Sequence, residues 1–347
     1  MINLLSDNVG PIPPESLAAL QEANRLSDLP YGGDSMTLEA TEALAQAFAR
    51  PVIVTTVPTG TAANALSMSV LCRPYGSVFA SDCAHIHLAE PGSTEFFTGG
   101  AKIRIVAAPD GRMRPEELNE AIGRAGKGER HRSQPDAVSL TNGTELGTVY
   151  TPAEVQALGS VVRRHDLKLH VDGARFANAL ARLRCSPAEL SWRAGVNVIS
   201  LGMTKNVAMG FDLVVCFDET LGEEAAYRAR RAGFTFSRMQ FASAQVIAAL
   251  KDERWIRRAE GANAAATRIV DGLRELPEVS ILHPVDINIV FLRVPTEVAE
   301  KLPERGLRVS HRGGGLIRLV TSWATDEAMI AGALRAIKNA VMDSRKH

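Results

Sequence analysis

Two short apolar runs, Leu167–Val171 and Val196–Leu201, constrain this chain more than any other stretch. Each is rich in Val, Ile and Leu, the composition of strands buried on both faces of a parallel sheet. Each stops at a polar group. The first ends on Asp172, followed by Gly173, Ala174 and Arg175; the second runs into Gly202, Met203, Thr204 and Lys205. Between them Phe176–Leu183 reads as a helix, followed by a polar turn and a second short helix. A strand–helix–strand unit puts both strand ends on one edge of a sheet. In open α/β sheets that carboxyl edge is where ligands bind.

An Asp and a Lys delivered to one such edge suit pyridoxal 5′-phosphate (PLP). The cofactor needs a Lys amine for its Schiff base and an anion beside the pyridine nitrogen, which keeps the ring protonated and able to accept electrons. Taken alone, a solvated Lys and a helix-capping Asp are the commoner account of such a pair, so the remaining sequence has to decide.

At 347 residues the chain accommodates one large domain and a small one. Its 39 basic and 39 acidic residues cancel, and no basic stripe interleaved with aromatics appears, so nucleic acid is not an expected partner. No apolar run reaches the roughly 18 residues of a membrane span, and the start MINLLSDNVG lacks the pattern of a signal peptide. The four cysteines, Cys72, Cys83, Cys185 and Cys216, are scattered without paired spacing. They predict free thiols in a reducing, cytoplasmic setting, with neither a disulfide frame nor a metal site.

Along the chain, residues 1–14 read as an extended arm with turn signals at Gly10-Pro11 and Pro13-Pro14. Helical spacing follows over Glu15–Leu26 and Thr37–Ala49, separated by the loop Tyr31-Gly32-Gly33-Asp34. Val52–Val57 is a strand that runs into Pro58-Thr59-Gly60-Thr61 and a helix from about Ala62 to Leu71. A strand, a Gly/Thr turn and a helix N-terminus can hold a phosphate on free backbone N–H groups, or the Thr can serve merely as a cap. Ser77–Ala80 is a strand with His85 and His87 just past its end; there an imidazole can lie against a planar cofactor or move protons. Ala101–Ala107 and Ala137–Thr141 are further strands, and Arg114–Ala125 and Pro152–His165 are helices. The loop Gly126–Pro135, which holds His131, reads from its composition as solvated surface. Beyond the strand Phe211–Phe217 come helices at Leu221–Arg231, Ser243–Leu250 and Glu253–Leu276. Past Pro277, strands at Val279–Leu282, Ile287–Arg293, Arg308–His311 and Leu316–Thr321 alternate with helices at Val298–Pro303 and Asp326–Met342, a small α+β unit. The expected division is an N-terminal arm over 1–20, a large PLP-binding domain over 21–250, a linking helix over 251–276 and a small C-terminal domain over 277–347.

The segments SDN (Ser6–Asn8), YGGD (Tyr31–Asp34), PTGTAAN (Pro58–Asn64), AHI (Ala84–Ile86), TELGTVY (Thr144–Tyr150), VDGARFANA (Val171–Ala179), SLGMTKN (Ser200–Asn206) and IRLVTSWAT (Ile317–Thr325) occur in that order over nearly the whole length. With them the chain resembles the L-threonine aldolases, PLP enzymes of the aspartate-aminotransferase group (fold type I). The resemblance implies an α/β large domain with a mostly parallel sheet flanked by helices, plus a small C-terminal α+β domain. It implies that Lys205 carries the cofactor, Asp172 faces the pyridine nitrogen, His85 stacks on the ring, and Gly60 and Thr61 hold the phosphate. Arg175 and Arg318, with Ser6, would bind the substrate carboxylate, and His131 would approach the β-hydroxyl. The implied reaction is retro-aldol cleavage of L-threonine, L-allo-threonine or a related β-hydroxy-α-amino acid to glycine and an aldehyde, with His85 or a water it orients removing the hydroxyl proton.

Met203 and the tract Val207–Met209 depart from the family pattern beside the Lys motif, which bears on substrate preference. The same frame also serves β-elimination, racemisation, transamination or serine hydroxymethyl transfer, although no folate-site resemblance accompanies it. A non-catalytic PLP-binding protein is the reading of another class. Fold type I sites are built at subunit boundaries, so a homodimer or homotetramer is expected, with the arm and the Tyr31–Asp34 loop as the crossing segments.

Overall fold

Strand-forming runs of Val, Ile, Leu and Phe set the layout. In a computed structural model, which describes residues 1–345, seven of them associate into one sheet: β1 Ile53–Val57, β2 Gly76–Ser81, β3 Lys102–Val106, β4 Gln134–Thr141, β5 Lys168–Gly173, β6 Val198–Leu201 and β7 Asp212–Cys216. Their order across the sheet is β3-β2-β4-β5-β6-β7-β1. All neighbours are parallel except β7, which runs against both β6 and β1. Every residue of β2, β6 and β7 is buried, as strands covered by helices on both faces require. The mostly parallel α/β sheet is the architecture that the two apolar runs predict.

Parallel order has a direct consequence for chemistry. The last residues of β1, β2, β4, β5 and β6 reach the same edge, and β7, running the other way, begins there with Asp212. Register sets Thr141 beside Asp172, Asp172 beside Ser200, and Val57 beside Asp212. Close approach at this edge depends on Gly202. A Cβ there would lie 2.5 Å from the Ala174 carbonyl oxygen, so only Gly lets the segments after β5 and β6 touch.

A second, antiparallel sheet holds β8 Ser280–Ile281, β9 Ile289–Arg293, β10 Ser310–His311 and β11 Leu316–Val320 in the order β10-β11-β9-β8. The helices Arg254–Asp271 and Glu327–Ser344 contribute Ile269 and Ile337 to its core, which also takes in Leu292 and Leu319. The stretch expected as one strand over Arg308–His311 is split. Leu307–Arg308 pairs with the N-terminal Ile2–Asn3, and Ser310–His311 pairs with β11. The partner at the start of the chain lies 305 residues away in register (Ile2 with Leu307), which no local pattern discloses.

That pairing also anchors the N-terminal stretch. Leu4 is buried in the core of the small sheet, Asp7 is engaged by Arg175, and Pro14–Ala23 is a helix. The first twenty residues are fastened onto their own chain. None of the helices among the described residues is long and apolar enough to cross a membrane.

Candidate active site

The strand ends close on a cavity of about 380 Å³ lined by residues that include Gly60, Thr61, Asn64, His85, Asp172, Arg175 and Lys205. Each side chain arrives by a local device. Thr59 caps the helix Gly60–Leu71, its hydroxyl accepting from Ala62 N–H. Among the described residues the N–H groups of Gly60 and Thr61 meet no acceptor. A Cβ on Gly60 would touch only Asp212 Oδ2, at 3.5 Å, and would otherwise project into the cavity. Lys205 lies in a turn held from both sides. The N–H groups of Asn206, Val207 and Ala208 all converge on the Met203 carbonyl, and Asp212 Oδ1 accepts from Met203 N–H at 2.7 Å and Thr204 N–H at 3.0 Å.

Electrostatics single out the Lys. Burial and the nearby Arg175 push the Lys205 pKa down against the pull of Asp7, Asp172 and Asp212, which favours a neutral, nucleophilic amine. Asp172 is 4 % exposed and accepts from Ala174 N–H at 3.0 Å and from Asn64 Nδ2 at 2.8 Å. His85 opens a short helix, His85–Leu88, past the end of β2. Its Nδ1 donates to Glu90 Oε1 at 2.8 Å, and its backbone N–H donates to Glu145 Oε1 at 2.8 Å. The Glu90 hydrogen bond raises the His85 pKa over the opposing effect of burial. Burial, helped by Asp172, raises the carboxyl of Glu145 as well.

The substrate-side residues are placed less uniformly. Arg175 lines the cavity and gives Nε and Nη2 to the two oxygens of Asp7, at 2.8 and 3.0 Å. Burial raises the Asp7 pKa, but Arg175, Lys205 and the amide of Asn288 outweigh it and leave the carboxyl below its usual range. Arg318 lies on β11, outside the cavity lining but within the field of Arg175 and Asp7, and its buried Nε has no hydrogen-bond partner. Ser6 caps the turn Asp7–Val9, its hydroxyl accepting from Asn8 N–H; Asn8 and not Ser6 reaches the lining.

His131 is not brought to the cavity by its own chain. Its side chain is 77 % exposed, and Nε2 lies 3.3 Å from Glu129 of the same loop. The loop enters β4 at its amino end, so the topology carries His131 to the edge of the sheet opposite the cavity. Met203 is buried and packs into the main core, so this departure from the family pattern is a packing residue whose backbone serves the Lys turn.

Proteins of known kind share this frame. The profile of the beta-eliminating lyase family matches residues 3–297. The chain belongs to the beta-eliminating lyase family. Within it, the chain is 38% identical over 335 residues to a low specificity L-threonine aldolase of Pseudomonas aeruginosa, covering 96% of each. It is 36% identical over 339 residues to the enzyme of the same name from a Pseudomonas species, covering 96% of this chain and 97% of that one. A Leishmania major threonine aldolase structure superposes with a TM-score of 0.91 at 24% identity, covering 98% of this chain and 100% of that one. An aspartate aminotransferase mutant of Thermus thermophilus does so with a TM-score of 0.73 at 20% identity, covering 98% and 96%. The fold is that of the fold type I PLP enzymes, as the motif order implies.

Several residues of the lyase site escape sequence reasoning. Asn64, Glu145 and Asp7 stand inside the quoted motifs but reveal no partner there. Glu90 follows His85 by five residues and looks like any helix-flanking acid. Asp212 opens a strand whose reversed direction cannot be read from its composition.

Proposed function

We propose that this lyase cleaves L-threonine and L-allo-threonine, or a closely related β-hydroxy-α-amino acid, to glycine and an aldehyde with PLP as cofactor. The observation that carries the reading is the convergence of a Lys of lowered pKa and a buried Asp at adjacent strand ends around one cavity. The residues fit the cofactor. Gly60 and Thr61 offer unused N–H groups at a helix N-terminus for its phosphate, Asp172 has acceptor capacity left for a ring N–H, and Lys205 has no hydrogen-bond partner among the described residues. Bound there, PLP supplies an electron sink for the charge left on Cα when the Cα–Cβ bond breaks.

The remaining work belongs to the chain. Lys205, favoured as the neutral amine, would hold the cofactor through a Schiff base to its carbonyl carbon, the carbonyl oxygen being lost as water. Arg318, whose Nε is buried without a partner, and Arg175, whose Nη1 Asp7 leaves free, bind the substrate carboxylate and fix which bond at Cα is aligned to break. His85 has Nδ1 committed to Glu90, so Nε2 is the nitrogen left to take the β-hydroxyl proton, directly or through a water.

The exposed apolar side chains Leu29, Tyr31 and Leu38, clustered in one stretch, support assembly into a two-fold dimer or a dimer of dimers. All four cysteines are free thiols, in keeping with a reducing compartment such as the cytoplasm. Incubating the PLP-loaded protein with each threonine epimer and measuring aldehyde tests the reading. Steady release from both is expected, and cofactor-loaded protein that releases none removes it.

A further inference from the structure

Glu90 is 3 % exposed, carries no expected role, and lies under the site at the centre of three hydrogen bonds. Its Oε1 accepts from His85 Nδ1 at 2.8 Å and from Asn64 Nδ2 at 2.8 Å, and its Oε2 accepts from Ser93 Oγ at 3.0 Å. The same Asn64 nitrogen donates to Asp172 Oδ2 at 2.8 Å. An amide nitrogen has two hydrogens, and Asn64 spends one on each carboxylate. Turning the amide over would set Oδ1 against two carboxylate oxygens, so its orientation is forced. Oδ1 itself is buried without a partner. An unpaired buried carbonyl is a cost that the two charge-assisted bonds on the nitrogen side offset.

The result is a continuous chain, His85–Glu90–Asn64–Asp172, drawn from the end of β2, the segment behind it, the helix Gly60–Leu71 and the end of β5. We propose that Asn64 and Glu90 are positioning residues of this site: Glu90 holds His85 as the Nδ1–H tautomer with Nε2 turned to the cavity, and Asn64 locks Glu90 to Asp172 so that the imidazole and the ring-nitrogen anchor are aimed as one unit. Such a partner on the far nitrogen is how a working imidazole is usually oriented. The assignment rests on the cofactor and proton-transfer roles proposed above for Asp172 and His85.

Three charged groups set the imidazole: Glu90 by hydrogen bond and charge, Asp172 by charge, and Lys205 in opposition; Glu145 meets only its backbone N–H. Glu90 is the largest of these influences and it raises the pKa. Removing its charge while keeping its shape, as in Glu90→Gln, therefore lowers the His85 midpoint. Removing the bridge, as in Asn64→Asp or Asn64→Ser, frees Glu90 from Asp172 and disturbs both.

The test is nitrogen-labelled histidine NMR on the intact PLP-loaded enzyme, with cofactor affinity and kinetics beside it. In the parent protein His85 shows the Nδ1–H tautomer when neutral. Glu90→Gln is expected to lower its midpoint and to drop kcat by about 10- to 100-fold, with KM for L-threonine within about twofold, the scale of losses when a ligand-orienting partner is removed. Asn64→Ser is expected to weaken PLP binding about tenfold through Asp172 and to mix the His85 tautomers. Folded Glu90→Gln and Asn64→Asp proteins with unchanged His85 midpoint, tautomer and PLP affinity would overturn the relay. A parent enzyme that releases no aldehyde, yet whose His85 responds to Glu90, would sink the aldolase reading and leave the relay standing.

Discussion

The two edges of the large sheet treat the same residue type in opposite ways. At the carboxyl edge, His85 is half-buried, tied through Nδ1 to the buried Glu90 and through its N–H to Glu145, and stands with Asp172 and Lys205 around one cavity. At the amino edge, His131 lies in the loop Gly126–Pro135, whose sequence also holds Lys127, Arg130 and Arg132, 77 % exposed, with Glu129 as an ion-pair neighbour. Neither histidine is special by composition. Chain direction decides: residues just past a strand of the parallel sheet are gathered into the site, and residues just before one are left to solvent.

The strongest attack on this contrast removes the groups that the carboxyl edge presents. Lys205→Ala is expected to abolish turnover, on the order of 10⁵-fold or more, as loss of a nucleophile does. PLP should still be retained weakly on Gly60, Thr61 and Asp172. Borohydride reduction of the parent should label the peptide holding Lys205, and a label on any other Lys would break the assignment. Asp172→Asn keeps the shape but removes the anion, and its single amide oxygen can accept from only one of Asn64 Nδ2 and Ala174 N–H. A loss of about 10³-fold in kcat is expected, in the range for one electrostatic stabiliser in an enclosed site. A near-normal rate would take Asp172 out of the chemistry.

A subtler probe uses pH. His85→Ala should slow cleavage by about 10²- to 10³-fold, the usual worth of one proton-transfer group. In the parent, the Glu90 contact raises the His85 pKa above its ordinary 6.5. A base works only when deprotonated, so kcat/KM should rise with pH through a midpoint above 6.5, and the rise should vanish in His85→Ala. A rising limb that persists in the variant assigns the base to another group. Arg318→Met, which deletes the fork but keeps the stem, should raise KM for L-threonine by about tenfold or more and affect kcat less, because a charge-assisted carboxylate contact is lost.

How much of this the sequence discloses depends on how local each cause is. The strands of the large sheet are legible because burial on both faces demands continuous apolar runs, and Lys205 and Asp172 are legible because they stand where such runs stop. Glu90 and Asn64 are not, since their meaning is a pair of hydrogen bonds across 26 and 108 positions of chain. The pairing of Ile2 with Leu307 is hidden for the same reason, and it ties the extended arm to the small domain in a two-stranded sheet of its own. His131 is a different case. Its loop comes before the strand Ala137–Thr141, so its edge can be read from the sequence, while the family resemblance points to the β-hydroxyl.

The smallest expected effect is therefore the one that tests the edge rule most sharply. His131→Ala removes an exposed imidazole and one surface contact with Glu129, and exposed pairs contribute little to stability, about 0–1 kcal/mol. If chain direction governs, kcat/KM for L-threonine and for L-allo-threonine should each stay within about twofold of the parent, and their ratio should not move. Aldehyde release from the two epimers, measured side by side at one pH, reads this directly. A role at the β-hydroxyl predicts something else: two epimers differ in where that hydroxyl points, so loss of a residue that meets it must change their ratio even when both rates fall. A changed ratio would mean that the amino-edge loop of one subunit reaches the carboxyl-edge cavity of another, because within one chain the sheet itself stands between them.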